Sequence, residues 1–551
     1  MKHKATWYIA AFAATIIACS VNAAQTLRVV SRTEDKIGVW ADAYLDINDA
    51  IAAVTKGTEE SHDTILVASG TYNIGSTITV VADKHWLEIR SANLETGEED
   101  REGTILDGGG AIRIMDILSP AVMVSGFTFQ NGYLESESYA SNTGGAAIHA
   151  DQHKVAVRNC IFRNNKTVNI TGTCVCCLGR EFNVSGCIFT NNTQAINISD
   201  KAVRGLAIYC RQHTVSVSDC LFDGNYATGE KVDGMLVSGE DGSAYSWNID
   251  NCTVLTNAFT KTGATGKILK GLVRLYRSSE MRNCRFSCNG LSGDVVYGSV
   301  LAIDESCMLS NCVFTAINDS STGGSDSTIY IAGCDSSFIN CKFTDSVLGR
   351  NFIEMKTVTN TLFRNCLVAN NTRSTSNHRI MRLNGCPVSG RGLVLENCTI
   401  ANNDDAIHTI GSAGTSSCTN IYVNTVITGL LHPYPEATQA IARNCCFGAI
   451  HNNQTSKFQE FSDCIMISNI PDGDLRFVDA ANGNYRLDRR SPLRDNGRIL
   501  PWMTVDAVDL GGGLRVVSGT GDPLAVDPSA LPDIGCYECA LKPLGLSLII
   551  R

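Results

Sequence analysis

The stretch Val157-Arg-Asn-Cys-Ile-Phe162 decides the fold of this chain, because the chain repeats it. The next two copies are Val184-Ser-Gly-Cys-Ile-Phe189 and Val217-Ser-Asp-Cys-Leu-Phe222. An earlier copy has Phe127 in the cysteine's place, and the later copies centre on Cys252, Cys284, Cys312, Cys341, Cys366, Cys398, Cys445 and Cys464. Most of these twelve copies are 25 to 34 residues apart, which is too long for a hairpin and typical of one coil of a β-helix.

Each copy has the alternation of a half-buried strand. The cysteine and the apolar residue two positions later point to the same side of a strand, so both are predicted to face the core. The residue before the cysteine is usually Asn, Asp or Gly, which tolerate a left-handed turn. A further asparagine follows the cysteine by five residues in seven copies, where it can bond its equivalents in neighbouring coils: Asn165, Asn192, Asn225, Asn257, Asn289, Asn371 and Asn403.

A second strand is predicted before each cysteine strand. Gly145-Ala-Ala-Ile-His149 and Asn351-Phe-Ile-Glu-Met-Lys356 alternate apolar with variable residues, as such a strand should. After Ala53 no amphipathic helical pattern of comparable strength appears. The sequence therefore predicts an all-β, right-handed parallel β-helix solenoid with a short N-terminal cap helix and a loop-rich C-terminal cap, in which stacking covers every strand edge except those at the ends.

The first residues have the pattern of an export signal. Positive charges at Lys2 and Lys4 precede a short apolar run, and small residues at Ala23 and Ala24 offer a cleavage site. The alternative is lipidation of Cys19, because Ile16-Ile-Ala-Cys19 resembles a bacterial lipobox. Both readings predict an extracellular or cell-surface protein, in contact with a membrane only through a lipid anchor.

The chain divides into five predicted segments. Residues 1–24 are the signal peptide, 25–110 the N-terminal cap and first coils, and 111–466 the β-helix repeats. Residues 467–540 form a closing segment and 541–551 a tail. The net charge of −10 and pI near 5.5 argue against nucleic acid, which a basic face would bind. We expect a monomer.

The 24 cysteines have two interpretations. Exported proteins often carry disulfides, but eleven cysteines fall in one inward column, where their Cβ vectors run parallel, and reduced stacked thiols are expected there. Better disulfide candidates are Cys174, Cys176 and Cys177, and the pair Cys536 and Cys539. Zinc at that pair is the alternative, but no second pair of ligands stands at the expected spacing, so no metal site is predicted.

Both ends of the chain resemble bacterial pectate-lyase-like β-helix proteins. The entry contains Asp63-Thr-Ile-Leu-Val-Ala-Ser-Gly-Thr-Tyr72, Thr104-Ile-Leu-Asp-Gly-Gly109 and Val124-Ser-Gly-Phe-Thr-Phe-Gln-Asn-Gly132. The end contains Phe477-Val-Asp-Ala-Ala-Asn-Gly-Asn-Tyr-Arg-Leu487, Ser491-Pro492 and Asp533-Ile-Gly-Cys-Tyr-Glu538. The resemblance implies the β-helix fold; as to function, such proteins include lyases, hydrolases and adhesins.

Two groups of residues are candidates for function. Alignment of the second strands places His149, Tyr209, Ser238, Tyr276, Lys356 and Asn384 in one outward column, with Arg274, Glu354 and Arg382 two residues earlier on the same face. Aromatic rings, cations and amides along a flat sheet suit a polysaccharide, and a solvated sheet face is the plainer alternative. Arg274, Lys356 and Arg382 are the candidate bases of a lyase, which would use Ca²⁺; otherwise no cofactor is expected.

The second group is the acidic pair Asp404 and Asp405. It resembles the paired aspartates of polygalacturonase-type hydrolases, but Asn371-Thr-Arg373 replaces their Asn-Thr-Asp and their Gly-His-Gly is absent, so a surface turn is the alternative. The leading hypothesis is a cell-surface or secreted protein that interacts with a glycan or a host surface without catalysis. The alternative is a lyase or glycoside hydrolase acting on an acidic polysaccharide.

Overall fold

The protein is a parallel β-solenoid, as the repeats predict. The computed structural model describes residues 24–211, 214–239, 246–262, 270–292, 300–319, 327–333, 335–348, 351–373, 379–384, 390–404, 418–431, 439–451, 455–504, 506–515 and 531–539. The signal region with Cys19, the candidate Asp405 and the tail 541–551 lie outside these ranges.

Four parallel sheets run along the solenoid, and the first two contain the cysteine repeats on either side of one corner. Sheet 1 ends each coil before the cysteine and comprises Thr26–Val29, Asp63–Ala68, Leu87–Ala92, Val122–Ser125, Ala156–Arg158, Phe182–Ser185, Thr214–Ser218, Ser246–Asp250, Ser279–Arg282, Cys307–Ser310, Ser337–Ile339, Thr361–Arg364, Gly390–Glu396, Cys418–Val423, Gln439–Arg443 and Phe458–Ser462. Sheet 2 follows the cysteine and comprises Gly70–Asn73, Thr104–Asp107, Thr128–Gln130, Ile161–Arg163, Ile188–Thr190, Leu221–Asp223, Thr253–Leu255, Arg285–Ser287, Val313–Thr315, Lys342–Thr344, Leu367–Ala369, Thr399–Ala401, Val426–Leu431, Cys446–Ile450 and Ile465–Met466.

The other two sheets complete the coils. Sheet 3 comprises Tyr133–Ala140, Lys166–Ile170, Thr193–Ile196, Tyr226–Gly229, Ala258–Lys261, Gly290–Ser292, Asn318–Asp319, Val347–Leu348 and Thr372–Arg373. Sheet 4 comprises Ile78–Val80, Met115–Ile117, Ile148–Ala150, Val175–Cys177, Ile208–Cys210, Val237–Gly239, Val273–Leu275, Leu301–Ile303, Ser327–Ala332, Asn351–Lys356 and Met381–Asn384. Ala202–Val203 and Lys231–Val232, in the segments that connect sheet 3 to sheet 4, pair with each other.

The core consists of columns of identical residues stacked from coil to coil. The rings of Phe129, Phe162, Phe189 and Phe222 stack with centroids 4.8 to 5.2 Å apart. The repeat cysteines form a neighbouring inward column and are free thiols, and the Sγ of Cys312 donates to the carbonyl of Ser310, two residues earlier. The predicted inward orientation of the cysteine and its apolar partner is thus confirmed.

Asparagines form both predicted corners. Before the cysteine, Asn159 and Gly186 have φ of 48° and 64°, so the left-handed turn is confirmed. At the second corner each buried Nδ2 donates to the Oδ1 of the next coil, at 3.0 Å from Asn165 to Asn192 and again from Asn192 to Asn225. Because these amides satisfy one another, the corner buries polar groups without leaving them unpaired.

One of the later coils has no cysteine at the repeat position. Thr425 occupies the cysteine position between the copies at Cys398 and Cys445, which are otherwise 47 residues apart. Its Oγ1 donates to the carbonyl of Val423, two residues earlier, as the cysteine thiols do. Threonine approximates the size of cysteine but breaks the residue pattern, so the twelve predicted copies do not include this coil.

Structure outside the coils is short. The predicted helix is confirmed at Ile47–Ala53; Asp46 caps it by accepting from the backbone N–H of Asn48 at 2.7 Å, and its buried side chains join the core. Single 3₁₀ turns lie at Thr33–Asp35, Gly38–Trp40, Thr455–Lys457, Ile467–Asn469 and Ala480–Asn482, and Phe477–Asp479 pairs antiparallel with Asn484–Leu487. In the described part of the chain, no helix has the length and apolarity that crossing a bilayer requires.

The segment from Leu475 to Cys539 lies along the side of the solenoid. Its buried Tyr485 and Tyr537 pack on Leu367 and Ala401, on the outer face of sheet 2. We refer to the described parts of residues 475–539 as the C-terminal segment. Its predicted role as an end cap stays a prediction.

Candidate functional site

All nine candidate ligand-binding residues of the second strands belong to the outer side of sheet 4 or to the turn that follows one of its strands. His149, for example, lies between Ile148 and Ala150, both of which are in the core. Glu354 lies in the same way between Ile353 and Met355. The predicted alternation of this second strand is therefore confirmed.

The predicted column differs from the observed one by two residues. His149 aligns through Cys176 with Tyr209 and Ser238, and Arg274 aligns through Ala302 and Tyr330 with Glu354 and Arg382. Stacking of the inward Val237 on Val273 sets Ser238 beside Arg274 rather than beside Tyr276. Lys356 and Asn384 form the neighbouring column. Because side chains alternate along a strand, a register shift of two residues keeps every side chain on the same face of the sheet.

Much of this face is covered, contrary to the expectation of an open, extended glycan surface. The residue exposures are 0% for Tyr209, 6% for Arg274 and 7% for Tyr276. The segments connecting sheet 3 to sheet 4 account for this, since Gly205 approaches the Cβ of Tyr209 and Asp233 bonds Arg274.

Arg274 lies at the centre of a buried ion-pair network. Its Nη1 is 2.7 Å from Oδ1 of Asp233, and its Nε is 2.6 Å from Oδ2 of Asp304. Arg204 binds Asp233 at 2.6 Å, and Lys270 binds Asp304 at 2.7 Å. An arginine held by two carboxylates stays protonated, so the geometry does not support Arg274 as a base.

His149 belongs to a separate group near the start of sheet 4. Its Nδ1 is 2.8 Å from Oδ1 of Asp116, the residue at the same position one coil earlier. Arg113 lies 3.6 Å from Asp116 and donates to the carbonyl oxygens of Thr143 and Gly145. Sequence reasoning missed Asp116 and Arg113; the alternation Met-Asp-Ile at 115–117 was the available signal.

A polar cluster with a buried centre and a partly exposed rim lies on the last three strands of sheet 4. We call it the Glu354 patch, and it consists of Tyr330, Ala332, Glu354, Lys356, Arg379, Arg382 and Asn384. Nη1 of Arg382 is 3.8 Å from Oε1 of Glu354, and Nδ2 of Asn384 donates to that oxygen at 3.2 Å. Sequence reasoning missed Tyr330 and Arg379 in this cluster.

The electrostatics of the Glu354 patch leave groups unsatisfied. Burial raises the pKa of Glu354, although the charge of Arg382 opposes that shift. Burial together with the charge of Arg382 lowers the pKa of Arg379. Oε2 of Glu354 and Nε of Arg382 are both buried, and neither has a hydrogen-bond partner among the residues that the structure describes.

The other candidates are placed only in part. Asp404 is exposed, and its backbone N–H donates to the carbonyl of Asn371 at 2.9 Å. Asp405 lies outside the described residues. The alternative disulfide sites Cys174, Cys176, Cys177, Cys536 and Cys539 are free thiols, and burial raises the pKa of Cys176 to about 12. Within the described ranges, no three His, Cys, Asp or Glu side chains are grouped so that they could hold a metal.

No family model and no curated protein matches this sequence. Among solved structures, the chain is similar to the A-module of the mannuronan C-5 epimerase AlgE6 of Azotobacter vinelandii, with 10% identity over 68% of this chain and 92% of that one and a TM-score of 0.32. It is also similar to the pectate lyase Pel9A, with 13% identity over 95% and 98% and a TM-score of 0.29.

A third similar structure is PfbA, a surface adhesin of Streptococcus pneumoniae, with 13% identity over 64% of this chain and 83% of that one and a TM-score of 0.29. Scores this low carry no argument about site or function. The fold of the present chain rests on its own strand order.

Proposed function

We propose that the protein acts outside the cell as a β-solenoid that binds a polysaccharide at the Glu354 patch without cleaving it. The observation that carries this proposal is the pair of unsatisfied atoms, Oε2 of Glu354 and Nε of Arg382. A buried acceptor and a buried donor side by side are costly unless a ligand completes them. A sugar ring offers hydroxyl groups that donate and accept at neighbouring positions. It satisfies both atoms when the partly exposed Arg382 side chain moves aside and uncovers them.

The dimensions of the patch also suit a sugar. Three strands at about 4.8 Å spacing, with two outward positions about 6.8 Å apart on each, give an area about as large as one or two sugar rings. Ala332 and Lys356 occupy one column, with Tyr330 and Glu354 beside them. The small Ala332 side chain leaves room for the ligand next to the larger residues.

The composition of the patch favours binding over cleavage. Glycoside hydrolysis generally requires two carboxyl groups that flank the scissile bond. Among the described residues of the patch, Glu354 carries the single carboxyl group. The second candidate function is a lyase in which a basic side chain of the patch removes a proton. The observation in its favour is that burial, together with the charge of Arg382, lowers the pKa of Arg379.

The experiment measures retention of the full chain on plant, algal and host polysaccharides and, in parallel, release of reducing ends and unsaturated products, with and without Ca²⁺. We expect retention on at least one glycan and no product. Glu354→Gln and Arg382→Gln should each weaken retention by about 10-fold or more, which is the effect of losing a hydrogen bond to a charged group.

The control is Arg158→Gln, an exposed arginine on the outer face of sheet 1, which should leave retention unchanged. Product that disappears in the Arg382→Gln variant would replace the binding proposal with the lyase. Neither retention nor product on any glycan would contradict both.

A further inference from the structure

The outer face of sheet 2 already binds a polypeptide at its C-terminal end. There Leu367 is 3% exposed, and Val426 and Cys446 are fully buried beneath Leu487 and Ile534 of the C-terminal segment. These three residues each follow a corner residue by two positions. Outward apolar side chains next to the corner are therefore the hydrophobic base on which the segment lies.

The corner asparagines hold the main chain of that segment. Nδ2 of Asn424 donates to the carbonyl of Arg498 at 2.7 Å, and Oδ1 of Asn424 accepts from the N–H of Arg498 at 2.6 Å. Asn365 and Asn444 donate to further carbonyls of the segment, at 2.9 and 3.0 Å. These bonds involve backbone groups and do not depend on the identity of the bound side chain.

The threonine after one corner adds a further bond. Oγ1 of Thr399 accepts from the backbone N–H of Cys536 at 3.0 Å. Thr399 is the register partner of Leu367, so a leucine and a threonine on adjacent strands bind the segment together.

A second segment lies against the same corner near the N-terminal end of the solenoid. In the loop of residues 93–103, Nη1 of Arg101 donates to Oδ1 of Asn159 at 3.0 Å, and Oε2 of Glu99 accepts from Nδ2 of Asn159 at 2.7 Å. Oγ1 of Thr128 donates to the carbonyl of Arg101 at 2.7 Å, and Ile161 is buried nearby. Two unrelated segments thus bond the corner asparagine and the threonine that follows a corner, the C-terminal one through its backbone and the N-terminal one mainly through side chains.

In the coils between these two covering segments, the corner asparagines and the outward residues of sheet 2 are uncovered. Asn251, Asn283 and Asn311 are exposed, and the residues of sheet 2 beside them are half-exposed: Leu221, Thr253, Leu255 and Val313. Leu221 and Thr253 are register partners, which repeats the Leu367 and Thr399 pair. The exposed Arg285 stands where the covered coils have Val426, so this position of the uncovered stretch carries a positive charge.

The exposed amides keep donors for a ligand. Nδ2 of Asn251 donates to Asp219 at 2.7 Å, and Nδ2 of Asn311 donates to Asn283 at 3.1 Å. Each carboxamide nitrogen carries two N–H groups. One bond along the corner therefore leaves a second N–H for the carbonyl oxygen of a bound chain.

We infer that this uncovered stretch, from Asp219 to Lys342 along sheet 2, is a binding site for an extended polypeptide segment of a partner protein. Asn251, Asn283 and Asn311 would bond its backbone carbonyls. An apolar side chain would lie on Leu221 and Leu255, and an acidic one beside Arg285. The site is separate from the Glu354 patch, which lies on sheet 4.

The test uses a labelled synthetic peptide with the sequence of residues 531–539, with serine in place of both cysteines, because in the covered coils Ile534 packs on Val426 and the N–H of Cys536 donates to Thr399. Fluorescence anisotropy with the full chain should show saturable binding. Leu221→Asp should weaken it at least 10-fold because it places a charge against the apolar side chain, and Arg285→Glu should weaken it by repelling the acidic Glu538 of the peptide. Asn183→Asp, exposed on sheet 1, is the matched control and should bind normally.

The folded state of each variant is checked by its thermal unfolding and by retention on glycan, which Leu221→Asp should not change. Absence of saturable binding, or equal binding by the wild type and Leu221→Asp, would overturn the inference. A dimer that dissociates on Leu221→Asp would overturn the assignment to a different protein and identify a second copy of this chain as the occupant.

Discussion

The last coils and the middle coils of sheet 2 have the same outward design but differ in what covers them. In the last coils, Leu367 and Thr399 are buried beneath the C-terminal segment, and Asn424 bonds its main chain. In the middle coils, the register-equivalent Leu221 and Thr253 are half-exposed. Among the described contacts, the side chain of Asn311 bonds only its two neighbours in the corner, Asn283 and Asn340. One repeated surface can therefore be core or solvent face, and sequence position in the repeat does not tell which.

The largest difference between the two regions should follow from Arg515→Ala. The Arg515 side chain is fully buried; it binds Oε1 of Glu538 at 2.6 Å and Oδ1 of Asn365 at 2.7 Å. Above the raised pKa of Glu538, for example at pH 9, its carboxylate is charged, and removing the cationic partner of such a buried ion pair typically costs about 3 to 5 kcal/mol. Urea unfolding should show this loss, and hydrogen exchange should show the C-terminal segment opening while the middle coils stay protected. Exposed Arg158→Ala should change stability by less than about 0.5 kcal/mol, and equal losses would contradict the comparison.

Attachment of the C-terminal segment should also depend on pH. Burial raises the pKa of Asp533 to about 6 and that of Glu538 to about 8, and in Glu538 it outweighs the opposing charge of Arg515. Unfolded carboxyl groups titrate near pH 4, so between about pH 4 and pH 8 the folded segment keeps protons that the unfolded chain has lost. Stability is therefore greatest below that range and falls as the pH rises through it.

We expect the segment to be at least about 1.4 kcal/mol less stable at pH 8 than at pH 5, the equivalent of one pKa unit. Hydrogen exchange of the C-terminal segment at the two pH values measures this difference. The double variant Asp533→Asn, Glu538→Gln should lose the dependence, and the middle coils should show none. A segment equally protected at both pH values would show that burial does not control it.

The smallest effect should come from a matched pair of corner substitutions, Asn424→Ala and Asn311→Ala. Both residues have a left-handed φ, of 50° and 54°, so both variants pay the same backbone cost of about 1 to 2 kcal/mol. Asn424→Ala also removes the two bonds to the main chain of Arg498. Its free energy of unfolding should therefore fall by a further ~1 to 2 kcal/mol. Thermal unfolding of both variants gives the difference directly. Identical values would mean that the corner amides contribute nothing to holding the segment.

The sequence alone determined the solenoid, because coil stacking requires the same residue type at the same place in every coil. The cysteine column, the corner asparagines and the alternation around His149 and Glu354 are consequences of local periodicity, and a local pattern is what a sequence displays. The coil at Thr425 shows the limit of this reasoning, because threonine fits the cysteine position in the core but is a different residue type.

Tertiary structure decided the register and the burial of the outer faces. Val237 stacks on Val273, and this contact moved the column of sheet 4 by two residues, a shift that leaves the alternation in each strand unchanged. The carboxylates of Asp233 and Asp304 come from connecting segments, so they turned Arg274 from a candidate base into a buried ion-pair partner. Whether an outward residue meets water, a loop or the C-terminal segment depends on chain far away in sequence, and for that reason periodicity predicted the faces but not what covers them.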